Sequence, residues 1–255
     1  MKGKMIIAIC LMFFKVSFGQ TKTVHVYVAL CDNKFQGIVP VPKKLGDGKD
    51  PKNNLYWGAA YGVKSYLKYK TKDWQLVKKI ASSKSEVLEK LLFKHTVMDV
   101  YLLAEAYDGE FIKECIGDFL KALNTQNRER ILYNNKKLDF GGSANLVAYI
   151  GHDGLMDFNI DIDYKNVDND TKKDAIILAC FSKDYFSTEV KKSGANPLLW
   201  TTHLMAPEAY TLKSAIDGWI LNEAGSQVKE RAAQVYNKYQ KCGIRGARNL
   251  FTTGF

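Results

Sequence analysis

The sequence lacks long apolar segments, phosphate-binding glycine motifs and closely spaced cysteines. No stretch reaches the 18 apolar residues of a membrane-spanning helix, so no transmembrane segment is expected. Neither GxGxxG nor GxxxxGKS occurs, which weakens the case for nucleotide-binding α/β proteins. The five cysteines include no CxxC pair and are widely spaced. A zinc ribbon, a thioredoxin-type site and a disulfide framework are therefore disfavoured.

What is present is an ordinary globular composition with excess basic charge. Of 255 residues, 46% are hydrophobic and 25% charged, which excludes disordered, collagen-like and coiled-coil chains. The 37 Lys and Arg exceed the 27 Asp and Glu, for a formal charge of +10. The basic residues are scattered and accompany no RNA-binding motif, so a nucleic-acid partner ranks last.

The first nineteen residues have the pattern of a secretory signal peptide. Lys2 and Lys4 precede an apolar run over residues 6–14, and Ser17 and Gly19 form a small-x-small cleavage site. A lipoprotein anchored on Cys10 is the alternative, disfavoured because a bulky residue precedes that cysteine. We predict an exported protein, periplasmic or secreted, with residues 20–255 forming one domain.

Strand and helix patterns alternate along this domain. Apolar or β-branched runs predict strands over residues 24–30, 74–81, 97–106, 146–150, 175–179 and 198–201. Helices are predicted over residues 57–69, 85–93, 109–124, 183–192, 207–221 and 226–241. Strands separated by helices imply parallel βαβ units, so we expect an α/β fold, a three-layer sandwich with a mostly parallel central sheet.

Two of the buried strands end in side chains that could do chemistry. The run over residues 146–150 leads into Gly151 and His152, and the next leads through Ala179 to Cys180. Because sites gather at the carboxyl ends of parallel strands, we expect His152 and Cys180 to lie at one sheet edge. An imidazole can accept the proton of a facing thiol and return it to a leaving group. The pair is therefore predicted to be a catalytic dyad, against the alternative of a buried cysteine and a polar cap.

This arrangement resembles the caspase-like (clan CD) cysteine peptidases, a group that includes caspases, legumains, gingipains and clostripain. Their shared signal is an apolar strand ending in His-Gly and a second one ending in Ala-Cys, matched here at residues 146–152 and 175–180. The resemblance implies a caspase-like fold and an exported bacterial cysteine peptidase acting on a peptide or protein. In the family the glycine after the histidine helps to form the oxyanion hole.

The chain departs from the family at that glycine, because Asp153 stands there and Gly154 follows. We expect the backbone amides near Gly154 and Cys180 to stabilise the oxyanion. By resemblance, the segment over residues 200–207 helps to build the specificity pocket. Its candidate substrate-binding residues are Trp200, Thr202 and His203.

An acidic segment lies between the two dyad residues. Alternation places four polar side chains on one face, namely Asp157, Asn159, Asp161 and Asp163. An EF-hand is rejected because Ile162 stands where its loop needs glycine. The segment is interpreted as the solvated face of a hairpin strand. Two alternatives stay open, a surface Ca²⁺ site and an acidic wall, including Asp161, that selects Lys or Arg in a substrate.

Two functions from different classes remain. The first is a peptidase that needs no metal or other cofactor, and the second is a non-catalytic binding or scaffold protein with a vestigial dyad. The loop over residues 46–54 could bind a ligand or fold over the cleft. Substrate sequence, activation, cysteine pairing and oligomeric state are left open.

Overall fold

A computed structural model of the chain describes residues 21–165 and 172–255. The predicted leader, with Cys10, lies outside the described residues. In the part that is described, no helix combines the length and apolar character needed to cross a bilayer.

One large mixed sheet organises the chain. Its strands are β1 Lys22–Ala29, β2 Trp74–Lys79, β3 Val87–His95, β4 Val100–Tyr107, β7 Leu146–Ile150, β8 Asp174–Leu178, β9 Asn196–Thr201 and β10 Phe251–Thr252. They lie in the order β10-β9-β8-β7-β1-β4-β3-β2. The five strands from β9 to β4 pair in parallel, and the others pair antiparallel at the two ends. A separate hairpin consists of β5 Glu129–Tyr133 and β6 Lys136–Phe140.

Six helices accompany the sheet in the described ranges. They are α1 Val63–Ser65, which continues as a π-helical turn over Tyr66–Lys70, α2 Ile112–Leu123, α3 Ser182–Ser193, α4 Ala209–Ile220, α5 Gly225–Gln240 and α6 Ile244–Leu250.

Both faces of the sheet are buried, as β1 shows. Val24, Val26 and Val28 pack in a core with side chains of α4 and α5. Tyr27 and Ala29 point to the opposite face, where they join a second core with α2 and α3. Successive strand residues face opposite sides, so continuous apolar runs are what a doubly covered strand requires. The predicted α/β class with a mostly parallel sheet is confirmed, and the layering is compatible with a three-layer sandwich.

Two predicted elements need correction. The helix predicted over residues 85–93 is wrong, because this stretch is strand β3, paired with β2 and β4. Leu91 and Phe93 face the core with α4 and α5, and Leu92 faces a smaller cluster with the β5–β6 hairpin. Because both sides of the strand are buried, its apolar residues do not alternate with polar ones. The helix predicted over residues 57–69 begins six residues later than expected, at Val63, and its π-helical turn ends at Lys70.

Candidate active site

The register of the sheet places the ends of β7 and β8 side by side. These strands are parallel neighbours, and every pair from Leu146 with Asp174 to Ile150 with Leu178 keeps an offset of 28 residues. His152 and Cys180 are separated by the same offset and each lies two residues beyond the last pair. The predicted adjacency of the two strands is confirmed, and His152 and Cys180 follow their neighbouring carboxyl ends.

His152 is held by a carboxylate five residues further on. Its Nε2 lies 2.6 Å from Oδ2 of Asp157, and the imidazole is mostly buried while the carboxylate is 44% exposed. An anion at Nε2 fixes the ring orientation and favours a proton on that nitrogen, leaving Nδ1 as the second ring position. The alternating pattern predicts only a solvated face for Asp157. Its place five residues after His152 was the one sequence feature that could have indicated this contact.

The thiol of Cys180 lies against the chain after β9. Its Sγ is 3.4 Å from the Met205 N–H, which donates to it, and 3.6 Å from the Met205 carbonyl oxygen. Burial raises the pKa of the half-buried thiol, the Met205 backbone contact lowers it, and the charge of Asp153 raises it further. Within the described residues, Cys180 and His152 make these bonds rather than one to each other. Catalytic hydrogen bonds are often long before substrate binds.

A tight turn separates His152 from Asp157. Asp153 is fully buried, its Oδ1 accepts the Leu155 N–H, and its Oδ2 has no described partner. Burial raises the pKa of this carboxyl to about 7. Gly154 is required by close packing, since a Cβ there would lie 2.6 Å from the ring of Phe158.

The backbone N–H groups at the two strand ends differ in whether they already donate a hydrogen bond. The Gly154 N–H, predicted to stabilise an oxyanion, donates to the His152 carbonyl oxygen at 3.1 Å in this conformation. The N–H groups of Asp153 and Cys180 donate to no acceptor among the described residues. Phe181 follows the cysteine in a left-handed conformation with φ of 49°, which turns the chain sharply from β8 into α3.

The predicted substrate-binding residues at the end of β9 and just after it fall into two groups. His203 is exposed, and its carbonyl oxygen accepts the Phe181 N–H at 3.1 Å, so this segment borders the turn after Cys180. Thr202 is half-buried and its hydroxyl lies 2.8 Å from Nδ1 of His203. Trp200 is fully buried and packs edge-on against Phe255, so its side chain offers no surface to a substrate in this conformation.

The acidic segment after the turn keeps its predicted alternation without being a strand. Asp157, Asn159, Asp161 and Asp163 are exposed, while the intervening apolar side chains of Phe158, Ile160 and Ile162 pack on the core beside α2 and α3. The chain here has no ladder partner in the described residues, so the hairpin-strand interpretation is wrong although its faces are right. No group of three or more His, Cys, Asp or Glu side chains suited to a metal ion occurs in the described part.

The long loop after β1 contacts the site at Asp157. Asn54 anchors it by accepting the Cys31 N–H and donating to the Cys31 carbonyl oxygen, at 3.0 and 2.8 Å. Gly37 lies against the carboxylate of Asp157, since a Cβ there would be 3.2 Å from Oδ1. The loop is therefore in contact with the carboxylate that holds His152.

Comparison with known proteins finds no match, whether to family profiles, to curated proteins or to solved structures.

Proposed function

We propose that this protein is an exported cysteine peptidase with a caspase-like fold, with Cys180 as nucleophile and His152 as general base. One observation carries the proposal: residues paired between β7 and β8 are 28 positions apart in the sequence, and His152 and Cys180 are separated by the same 28 positions. The matched strand ends, the parallel sheet and the order of the elements support the resemblance. Cys31 also follows a strand next to β7, namely β1, but it is fully buried, whereas Cys180 is half-buried.

The His152–Asp157 pair supports a defined direction of proton transfer. With Nε2 bound to Asp157, Nδ1 is the nitrogen that accepts the thiol proton. The Cys180 thiolate then attacks the scissile carbonyl carbon, forming a C–S bond and an oxyanion. The imidazolium returns its proton to the amine as the C–N bond breaks, and water hydrolyses the thioester.

The oxyanion is assigned to the N–H groups of Asp153 and Cys180. Both belong to the strand ends and donate to no described acceptor, whereas the Gly154 N–H is engaged. Two backbone donors aimed at the developing charge are the usual means of stabilising a tetrahedral intermediate. Asp153 therefore takes, through its backbone, the place that the family gives to glycine.

The second candidate is a non-catalytic binding or scaffold protein. It is favoured by the Cys180 pKa, which burial raises, because a protonated thiol is a poor nucleophile. The two candidates differ in whether an electrophilic peptide reacts at Cys180.

Labelling with peptides that carry a thiol-reactive ketone tests the proposal. We expect mass spectrometry to find the label on Cys180 in the parent and to find labelling lost in Cys180→Ala. Cys242→Ala is the matched control, because Cys242 is exposed and lies outside the site. Labelling that survives in Cys180→Ala, or a parent that takes no label at Cys180, contradicts the peptidase assignment.

Asp157 is a positioning residue whose removal has a kinetic signature. In Asp157→Asn we expect kcat for a cleaved peptide to fall about tenfold with KM little changed, because the imidazole loses its anionic partner. Asp139→Asn is the control, since Asp139 pairs with Arg130 on the separate hairpin. Equal kcat values in the parent and Asp157→Asn would remove Asp157 from the mechanism.

A further inference from the structure

The amino edge of the sheet, opposite the candidate active site, carries a recess that is rich in cations. It lies where the chain enters β7 and β8, and its volume is about 290 Å³. We call it the amino-edge recess. Its polar lining residues are Thr125, Arg128, Ser143, Asn145, Lys172 and Lys173. Three of these are cations, and no carboxylate of the described chain lines the recess.

Lys173 is the buried cation of the recess. Only 6% of it is exposed, and its Nζ donates to the Ala144 carbonyl oxygen at 3.2 Å. An ammonium group has three donors, and Lys173 has no acidic partner among the ion pairs of the described residues. A buried charge without a counter-charge is unfavourable, and burial together with the nearby Arg128 lowers the pKa of Lys173 to about 8.

Further donors converge on the same space. Arg128 uses Nε to donate to the Thr125 carbonyl oxygen at 3.0 Å, and its terminal nitrogens donate to no described acceptor. The hydroxyls of Thr125 and Ser143 also have no hydrogen-bond partner in the described chain. The recess thus combines like charges with unused donors, an arrangement that an anion between them would stabilise.

We propose that the amino-edge recess binds a phosphate group, as inorganic phosphate or a small phosphate monoester. The Arg128 guanidinium can donate hydrogen bonds to two oxygens of one tetrahedral anion. The remaining oxygens can then accept hydrogen bonds from Lys173 and a hydroxyl. A doubly charged phosphate matches three cations better than a single carboxylate does. The site is independent of the peptidase assignment, because the five residues of β7 place it about 17 Å from the carboxyl edge.

Phosphate titration of the intact protein tests the inference. Calorimetry and ³¹P NMR would measure inorganic phosphate, glycerol phosphate, sulfate and acetate at constant ionic strength. We expect saturable phosphate binding, acetate binding at least tenfold weaker, and about tenfold or greater loss of phosphate affinity in both Lys173→Met and Arg128→Gln. The tighter of the two phosphates identifies the ligand's source. Lys44→Ala, an exposed lysine outside the recess, should stay within about twofold of the parent.

A phosphate affinity that is unchanged in Lys173→Met and Arg128→Gln overturns the inference. The absence of saturable binding overturns it too, as does an effect that potassium chloride reproduces at equal ionic strength.

The stability of Lys173→Met separates loss of a ligand site from loss of the fold. Without phosphate, this variant should melt at or a few degrees above the parent at pH 7, because it removes a buried charge that has no carboxylate partner among the described residues. Added phosphate should raise the Tm of the parent and not that of the variant. A Tm well below the parent's in phosphate-free buffer would contradict the account of Lys173 as an unneutralised charge.

Discussion

Replacing His152 by alanine is expected to lower kcat/KM for peptide hydrolysis between about 100-fold and 10,000-fold, the usual contribution of a positioned acid–base group. Without the imidazole, the thiol loses its proposed base and the leaving amine loses its proposed acid. The measurement is the initial rate on a peptide that the parent cleaves, together with alkylation of Cys180 by iodoacetamide at alkaline pH. Alkylation should persist, since hydroxide then ionises the thiol.

His203 provides the matched comparison for this prediction. It is exposed, lies in the segment beside the turn after Cys180, and has Nδ1 2.8 Å from the Thr202 hydroxyl. As a substrate-contacting residue it should affect KM more than kcat, so His203→Ala should lose less than tenfold in kcat. A larger loss of kcat in His203→Ala than in His152→Ala would transfer the role of base to His203.

Replacing Asp153 by asparagine is expected to change how stability depends on pH. Burial raises the pKa of Asp153 to about 7, against an ordinary value of 3.8. Between about pH 4 and pH 7 the unfolded chain releases this proton while the folded chain keeps it. The free energy of unfolding therefore falls as pH rises through this window, by up to about 4 kcal/mol at 1.36 kcal/mol per pKa unit.

Urea unfolding at pH 5 and pH 8 measures this effect. Asp153→Asn should remove most of the fall, so that the variant is more stable than the parent at pH 8 and loses that advantage at pH 5. Asp139→Asn, in the exposed pair with Arg130, should keep the parent's pH dependence. A parent whose stability does not fall between pH 5 and pH 8 would show that Asp153 ionises normally in the folded chain.

The sequence was most informative where burial is continuous. The apolar runs of β7 and β8 identified central strands, and their reactive ends could be named from the same residues. The stripe of α2, with Ile112, Ile116 and Phe119 buried, was equally readable.

Prediction failed where tertiary pairing overrides local pattern. The helical spacing of Leu88, Leu91 and Leu92 occurs in strand β3 because β2 and β4 supply ladder partners. The hairpin of β5 and β6 was not predicted. Asn134 and Asn135 form its turn and both adopt positive φ, which asparagine tolerates, so this Asn-Asn pair was the available sequence signal.

The site could be predicted only in part, because its contacts depend on the path of the backbone. Which backbone amides are engaged, and which carboxylate reaches His152, depends on the turn through Gly154 and not on residue type. The contact of Met205 with the thiol is made by backbone atoms of a distant segment, which no side-chain pattern encodes.

The central claim is that Cys180 cleaves peptide bonds, and the most direct measurement is turnover of a diverse peptide library, followed by mass spectrometry. The parent and Cys242→Ala should generate the same new termini at the same rates, and Cys180→Ala should generate none. Cleavage that continues in Cys180→Ala, or a parent that generates no new termini, would contradict the account.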